Sequence, residues 1–483
     1  MDYPTVIHHG GVESVTGSCH QLQCNDHYSL LIDCGLKLES ATATKGAASG
    51  LGFALDTIKA LVLTHVHVDH VGRIPDLLAA GYSGPIICSE PSAAMLPITL
   101  EDAFKNQFAH DEKDISRYLS LVKSRTVALP FNTWHVLLES PELTVRIRLQ
   151  RAGHILGSAY VECDVQYPAQ QRDKRVVFSG DLGSSHNPML ISPKSPERAD
   201  LLILESTYGD RQHQDRSSRQ LRLEQVIDKA LADHGTILIP AFSIGRTQEL
   251  LFEIEDILRR KSLVEMEEGG ADEMDAAGLP IDWPQLPIIL DSPLASRFTA
   301  VYQQFDDYWN DAAQARVSQG RKPLGFKQLI TVDSHDKHQM VVNYLSSTGR
   351  PAIVIAGSGM CSGGRIVNYL KAMLGDPRHN VVFVGYQAKD TPGAAIQKYG
   401  PVGGYVELDR ERFSISAGIT TVGGYSAHAD QSELVSFVTD MDKWPEQITL
   451  VHGDPNAKKT LSDVLERKYS LNKKTIKVHV PRG

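Results

Sequence analysis

Short apolar runs that stop at glycine, aspartate or serine recur through the first part of the chain. They are Ser29–Asp33, Ala60–Thr64, Pro85–Cys88, Val176–Ser179 and Leu201–Glu205. Runs of about 4–8 residues bounded by turn formers predict buried strands. Between them, Ile74–Ala80 and Glu101–Ser124 are predicted helices, so strand and helix alternate as in a layered α/β domain. A second alternating set begins after Tyr208. It runs through helix Arg219–His234, strand Thr236–Ile239, helix Arg246–Lys261, strand Pro287–Leu290, a polar helical stretch over Phe298–Gln319 and strand Ala352–Ala356. The glycine-rich turn Gly357–Gly364 then opens helix Arg365–Leu374, and strand Asn380–Gly385 follows. After residue 425 come a last helix, Gln431–Met441, and a last strand, Gln447–His452.

A length of 483 residues makes several domains, or one composite, more natural than a single core. No apolar run approaches the roughly 20 residues that span a bilayer, so no membrane partner is expected. The opening Met1–Pro4 lacks the basic and apolar regions of a secretory signal. The six cysteines are scattered and form no CxxC pair. That argues against a disulfide framework and against a cysteine zinc site, and points to a reducing, cytoplasmic setting. A net charge of −9 weighs against a polyanionic partner, since phosphate favours a basic surface. Much of that charge is local, however. Glu265, Glu267, Glu268, Asp272, Glu273, Asp275 and Asp282 share one stretch without a basic residue, and the remainder is close to neutral. The segment Glu265–Pro287 is expected to be a loose surface loop. The acidic insert 265–282 could shield a cleft, bind a basic protein partner or do neither.

The chemistry is concentrated in Thr64-His65-Val66-His67-Val68-Asp69-His70, directly after an apolar strand. Three imidazoles and a carboxylate within six residues form a ligand set suited to zinc, with manganese or iron as options. If the segment is extended, His65, His67 and Asp69 point to one side, and His70 joins them as a helix begins. Three more polar residues close apolar or glycine-rich segments: His154 in AGHILGS, Asp181 in VVFSGD and His452 in ITLVHGD. Together these seven are enough to hold two metals that share one carboxylate.

HxHxDH, then GHxxGS, then SGD resembles the motif series of the metallo-β-lactamase superfamily. Asp33, in Leu31-Ile32-Asp33-Cys34-Gly35, resembles that family's first motif, and is expected to orient a ligand. Three later segments resemble those of the β-CASP ribonucleases: Leu204–Asp210 (LESTYGD), Tyr425–Asp430 (YSAHAD) and Leu450–Gly453 (LVHG). The loop GSGMCSGGR over Gly357–Arg365 is also similar to one in that group. The family includes the endonuclease subunit of the mRNA 3′-end cleavage and polyadenylation complex, with archaeal and bacterial relatives. DNA-processing relatives typically carry valine where this chain has His452, which favours RNA. Asp454 stands where many relatives have glutamate.

The resemblance implies an α/β fold: an αββα metallo-β-lactamase sandwich over 1–208 and 426–483, with a β-CASP cap inserted over 209–425. It implies two Zn2+ ions (Mn2+ or Fe2+ being alternatives), one on His65, His67 and His154, the other on Asp69, His70 and His452. Asp181 would bridge them, and the pair would activate water against an RNA phosphodiester. His428 would be the general acid and Glu205 the carboxylate that orients it, with Asp69 also counted among the catalytic groups. Ser358 and Arg365 in the glycine-rich loop, and Arg246 at a helix start, are candidate phosphate contacts. Single-stranded RNA is the expected partner, with a homodimer open. Cleavage inside the RNA and from its 5′ end are both left open. A small-molecule esterase or lactamase-type hydrolase would fit the metals and the net charge, but leaves the cap and the Glu205/His428 pair without a purpose. A DNA nuclease is disfavoured by His452, and a non-catalytic scaffold by the complete ligand set.

Overall fold

In a computed structural model of the chain, residues 3–37, 51–107, 111–213, 216–232, 235–268 and 286–481 are described. The chain divides into two compact units, Met1–Gln212 with His428–Gly483, and His213–Ala427.

The first unit is a sandwich of two sheets. One has six strands in the order Thr5–Gly10, Cys19–Gln23, Ser29–Ile32, Ile58–Val62, Ile86–Ser89 and Thr126–Leu129. The other has seven, in the order Lys477–His479, Gln447–Val451, Leu201–Glu205, Arg172–Phe178, Ala159–Tyr167, Thr144–Arg151 and Trp134–Glu139. Leu30, Ile32, Ala60 and Val62 of the first sheet share a core with Val145, Ile147, Val161, Val176, Phe178 and Ile203 of the second. Because side chains alternate along a strand, Val177, Leu202, Leu204 and Leu450 leave by the opposite face. There they meet Leu434, Phe437 and Val438 of helix Gln431–Thr439, and Leu461, Leu465 and Tyr469 of helix Pro455–Leu471. Helices outside and sheets inside give the expected αββα arrangement.

Burial on both faces explains why LLILE and its like are continuous apolar runs. Strand Thr144–Arg151 obeys a different rule. Val145, Ile147 and Leu149 face the core, while Arg146 and Arg148 pair with Asp164 and Glu162 on the neighbouring strand. The expected helix Glu101–Ser124 is instead two, Glu90–Gln107 and Glu112–Arg125, the second capped by Asp111, which accepts from Lys113 N.

The second unit is built on a parallel sheet in the order Leu329–Thr331, Ile288–Asp291, Ala352–Ala356, Thr236–Pro240, Asn380–Phe383 and Gly418–Thr421. The polar helical stretch expected near Phe298–Gln319 comprises two helices, Pro293–Gln304 and Asp311–Ser318. Helix Arg246–Glu268 runs past its expected end and takes in the start of the acidic stretch. The rest of that stretch, residues 269–285, lies outside the described residues. None of the helices among the described residues is long and apolar enough to cross a membrane.

Candidate metal centre

Each side chain of the HxHxDH group and its distant companions stands at or just beyond the end of a strand. Strands Arg172–Phe178, Leu201–Glu205 and Gln447–Val451 are parallel neighbours, so Asp181, Glu205 and His452 emerge at one edge of the sandwich. Residues 64–70 leave strand Ile58–Val62 as an extended segment up to His67, and a single helical turn, Val68–Val71, follows. Asp69 therefore sits in the turn with His70, not in an extended alternation with His65 and His67. Two glycines let backbone approach these loops. A Cβ on Gly35 would strike the Asp69 carbonyl, and one on Gly183 would strike the Gly153 carbonyl beside His154.

The donor atoms converge in two sets. In the first, His67 Nδ1 lies 2.9 Å from His65 Nε2 and 3.2 Å from His154 Nε2. Asp181 Oδ2 is 3.5 Å from the former nitrogen and 3.7 Å from the latter. In the second, His70 Nε2 is 3.6 Å from Asp69 Oδ2 and 3.3 Å from Asp181 Oδ1. His452 Nε2 is 3.9 Å and 3.5 Å from the same two oxygens. A tetrahedral site with bonds near 2.0–2.1 Å separates its donors by about 3.3 Å, so both sets match the spacing of ligands around one cation. Asp181 turns one oxygen to each set. His70 Nε2 and Asp181 Oδ1 are buried without a hydrogen-bond partner, a costly arrangement for a protein interior and one that a bound cation relieves. The residues fit a divalent metal centre.

Electrostatics agree with the donor geometry. Burial holds the imidazoles of His65 and His154 well below their usual range, and brings His67 down to about 4. All three are neutral at pH 7, as ligands must be. Burial also pushes His70 down, but the carboxylates of Asp181, Asp69 and Asp33 outweigh it and hold that imidazole well above the usual range. Three carboxylates around one imidazole form a centre of negative charge, which a divalent cation answers while displacing the proton.

Asp33 supports this set from behind. Its Oδ2 accepts from His70 Nδ1 at 2.8 Å and from Thr64 Oγ1 at 2.8 Å, and its Oδ1 accepts from Thr64 N at 2.8 Å. A donor hydrogen bond from Nδ1 fixes the tautomer that leaves Nε2 free to ligate. Asp33→Ala is expected to weaken metal retention about 10–100-fold, read by chelator competition. Unchanged affinity in a folded variant would contradict that role. Ser18, whose Oγ donates to Asp33 at 3.3 Å, and Thr64 carry no ligand motif of their own in the sequence. Thr64 was signalled only by its place directly before His65.

A third group adjoins the metal positions. His428 Nδ1 is 3.2 Å from Glu205 Oε1 and 3.3 Å from Oε2, and its Nε2 reaches toward Asp181 Oδ2 at 4.0 Å. Glu205 is fixed in turn by Leu182 N at 2.6 Å and Thr207 N at 3.3 Å. Burial pushes the His428 imidazole down, yet Glu205, with Asp181 and Asp69, raises it to about 9.

The three candidate phosphate contacts belong to the second unit and are bound differently. Arg365 Nη1 donates to Asp291 Oδ1 and to Val332 O, both at 2.6 Å. Arg246 Nη1 donates to Glu249 Oε2 at 2.5 Å, and its guanidinium lies over the Tyr425 ring. Ser358 is half-buried at the start of its loop. The two arginines are thus tied to internal partners.

Comparison with known proteins matches three family descriptions in succession. They are the metallo-beta-lactamase superfamily over residues 16–240, the Beta-Casp domain over 247–396 and the Zn-dependent metallo-hydrolase RNA specificity domain over 412–481. The chain is 32% identical to Ribonuclease TTHA0252 of Thermus thermophilus over 93% of each chain. It is 29% identical to Transcription termination factor FttA of Methanosarcina mazei, covering 97% of this chain and 69% of that one. FttA of Methanothermobacter thermautotrophicus is also 29% identical, over 98% of this chain and 71% of that one.

Proposed function

This chain belongs to the β-CASP family of the metallo-β-lactamase superfamily, and from that premise we propose that it is a metal-dependent ribonuclease hydrolysing RNA phosphodiester bonds. The observation that carries the reading is the double donor set sharing Asp181, with the Glu205–His428 pair beside it. The match to an RNA specificity domain, which spans both His428 and His452, and the likeness to a ribonuclease over almost the whole chain support RNA as substrate.

Two zinc ions are proposed, one on His65, His67 and His154 and one on Asp69, His70 and His452, with Asp181 serving both. When bound, such a pair supplies an acidified water as nucleophile at neutral pH and positive charge for the phosphodiester oxygens. The protein's own groups do the rest. Asp181 fixes the two donor sets relative to each other. His428, charged at pH 7, holds a proton at Nε2 and gives it to the departing ribose oxygen. Glu205 orients that ring through Nδ1 and keeps it charged. Attack by water with protonation of the ribose oxygen leaves a 5′-phosphate and a 3′-hydroxyl. The reading assigns 1–208 and 426–483 to the catalytic core and 209–425 to the β-CASP cap. A reducing, cytoplasmic setting is supported by six free, buried cysteines.

The test is competition among substrate classes. End-labelled single-stranded RNA, DNA of the same sequence and a small carboxylic ester are each given to metal-loaded protein. RNA is expected to be cleaved, giving 5′-phosphate ends. Intact RNA beside rapid ester turnover would replace this reading with a small-molecule hydrolase, and equal cleavage of DNA would remove the preference for RNA.

A further inference from the structure

The parallel sheet of the second unit changes direction between two neighbouring strands. Thr236–Pro240 is followed in the chain by Ile288–Asp291, which lies beyond Ala352–Ala356. Ala352–Ala356 is followed by Asn380–Phe383, which lies on the other side, beyond Thr236–Pro240. In open parallel sheets the crevice at the carboxyl ends of such strands is where ligands bind.

Two large aromatic side chains stand at this edge and face solvent. Phe242 follows strand Thr236–Pro240 and is 50% exposed, and Tyr386 follows the adjacent strand Asn380–Phe383 and is 60% exposed. Their backbones are tied down. The Phe242 carbonyl accepts from Thr247 Oγ1 at 2.7 Å. The Phe242 ring lies against Gly359 in the glycine-rich loop, where a Cβ would come within 2.9 Å of its Cδ2. Buried Gln387 uses its Nε2 to bridge Gly359 O at 2.9 Å and Tyr386 O at 3.3 Å. The Phe242 ring and the Tyr386 backbone are thus both anchored at Gly359. Among the described residues, neither ring stacks on another aromatic or lies under a cation. The residue after Phe242 is polar: the Ser243 hydroxyl lies 3.3 Å from that of Ser292, which follows strand Ile288–Asp291 at the same edge of the sheet.

Exposed flat faces on fixed backbones, at a sheet edge that also carries hydroxyls, suit a ligand that is itself flat on one side and polar on the other. We infer that Phe242 and Tyr386 form a stacking platform for unpaired bases of single-stranded RNA. This rests on the ribonuclease reading and adds to it where the second unit grips the strand and why the strand must be single. Stacking on an aromatic face is tolerant of sequence, because every base has such a face.

The test uses full-length, metal-loaded protein and single-stranded RNA carrying 2-aminopurine, whose fluorescence falls when the base stacks. Phe242→Ala and Tyr386→Ala are each expected to raise KM for RNA about tenfold, to abolish part of the quenching and to leave kcat within about twofold. Phe242→Tyr and Tyr386→Phe are expected to keep both readouts at the wild-type level, and the loss of quenching in the alanine variants is the readout that a packing defect alone would not give. Alanine variants with wild-type KM and wild-type quenching would overturn the platform. So would aromatic variants as impaired as alanine. Wild-type protein that neither cleaves nor quenches the RNA would overturn the ribonuclease reading itself, and that outcome is visible before any variant is made.

Discussion

Alanine at Asp181 is expected to empty both metal positions together and to abolish RNA cleavage. Among the described residues it is the one side chain that offers an oxygen to each donor set, Oδ2 toward His65 and His154 and Oδ1 toward His70 and His452. Without it the first set consists of three neutral imidazoles with no anion, and the second keeps only Asp69. Burial would raise the Asp181 carboxyl, but His452, His70 and His65 outweigh that and hold it well below the usual range, so it is the anion around which the cluster is organised. Losing one fixed electrostatic group in an active site costs about 10²–10³ in rate. Losing the seats of two cations should cost at least that upper figure. Asp181→Asn keeps the shape and one oxygen while removing the charge, and should fall between alanine and wild type in metal content. Metal analysis beside a cleavage assay reads both effects. A Asp181→Ala variant with wild-type metal content would contradict the bridging role.

His428→Ala should behave in the opposite way, keeping its metals and losing turnover. The ring is held by Glu205 through Nδ1, and it belongs to neither of the two donor sets that contain His70 and His67. Removing a general acid costs about 10²–10⁴ in rate, and the loss should fall in kcat with KM nearly unchanged. A substrate that departs as a nitrophenolate needs no proton, so the same variant should hydrolyse it at close to the wild-type rate. Glu205→Gln should give a milder version, since glutamine still accepts from Leu182 N but no longer supports a charged imidazole. Equal losses on good and poor leaving groups would contradict the proton-donor role and point to a defect in metal placement.

The parts of this molecule that were readable in advance are those written in local sequence. HxHxDH places four donors within six residues, and the apolar runs around Asp181, Glu205 and His452 are strands buried on both faces, which carry a continuous signal. What stayed hidden depends on partners far away in the chain. Strand Thr144–Arg151 carries a local signal in the alternation of Val145, Ile147 and Leu149 with Arg146 and Arg148, but where those arginines find partners is not legible. Their charges are absorbed by Asp164 and Glu162 across the sheet, and no local pattern announces that pairing. Arg365 and Arg246 looked available for phosphate when read alone. Asp291 binds the first from 74 residues away, while Glu249 and the Tyr425 ring hold the second. The helix expected over Glu101–Ser124 had suitable composition throughout, but Asp111 caps a new helix inside it. Phe242 and Tyr386 gave no sequence signal as a pair, because only the parallel pairing of their strands brings them to one edge.

Metal-dependent cleavage of RNA by this one cluster is the central expectation. The most direct measurement is cleavage of end-labelled single-stranded RNA by the purified chain, followed through chelation and restoration of zinc, with bound metal counted at each stage. The expected result is about two ions per chain in the active protein, with cleavage lost with the metals and regained with them. RNA cleaved at full rate after the metals are gone, or RNA untouched by protein carrying both, would contradict it.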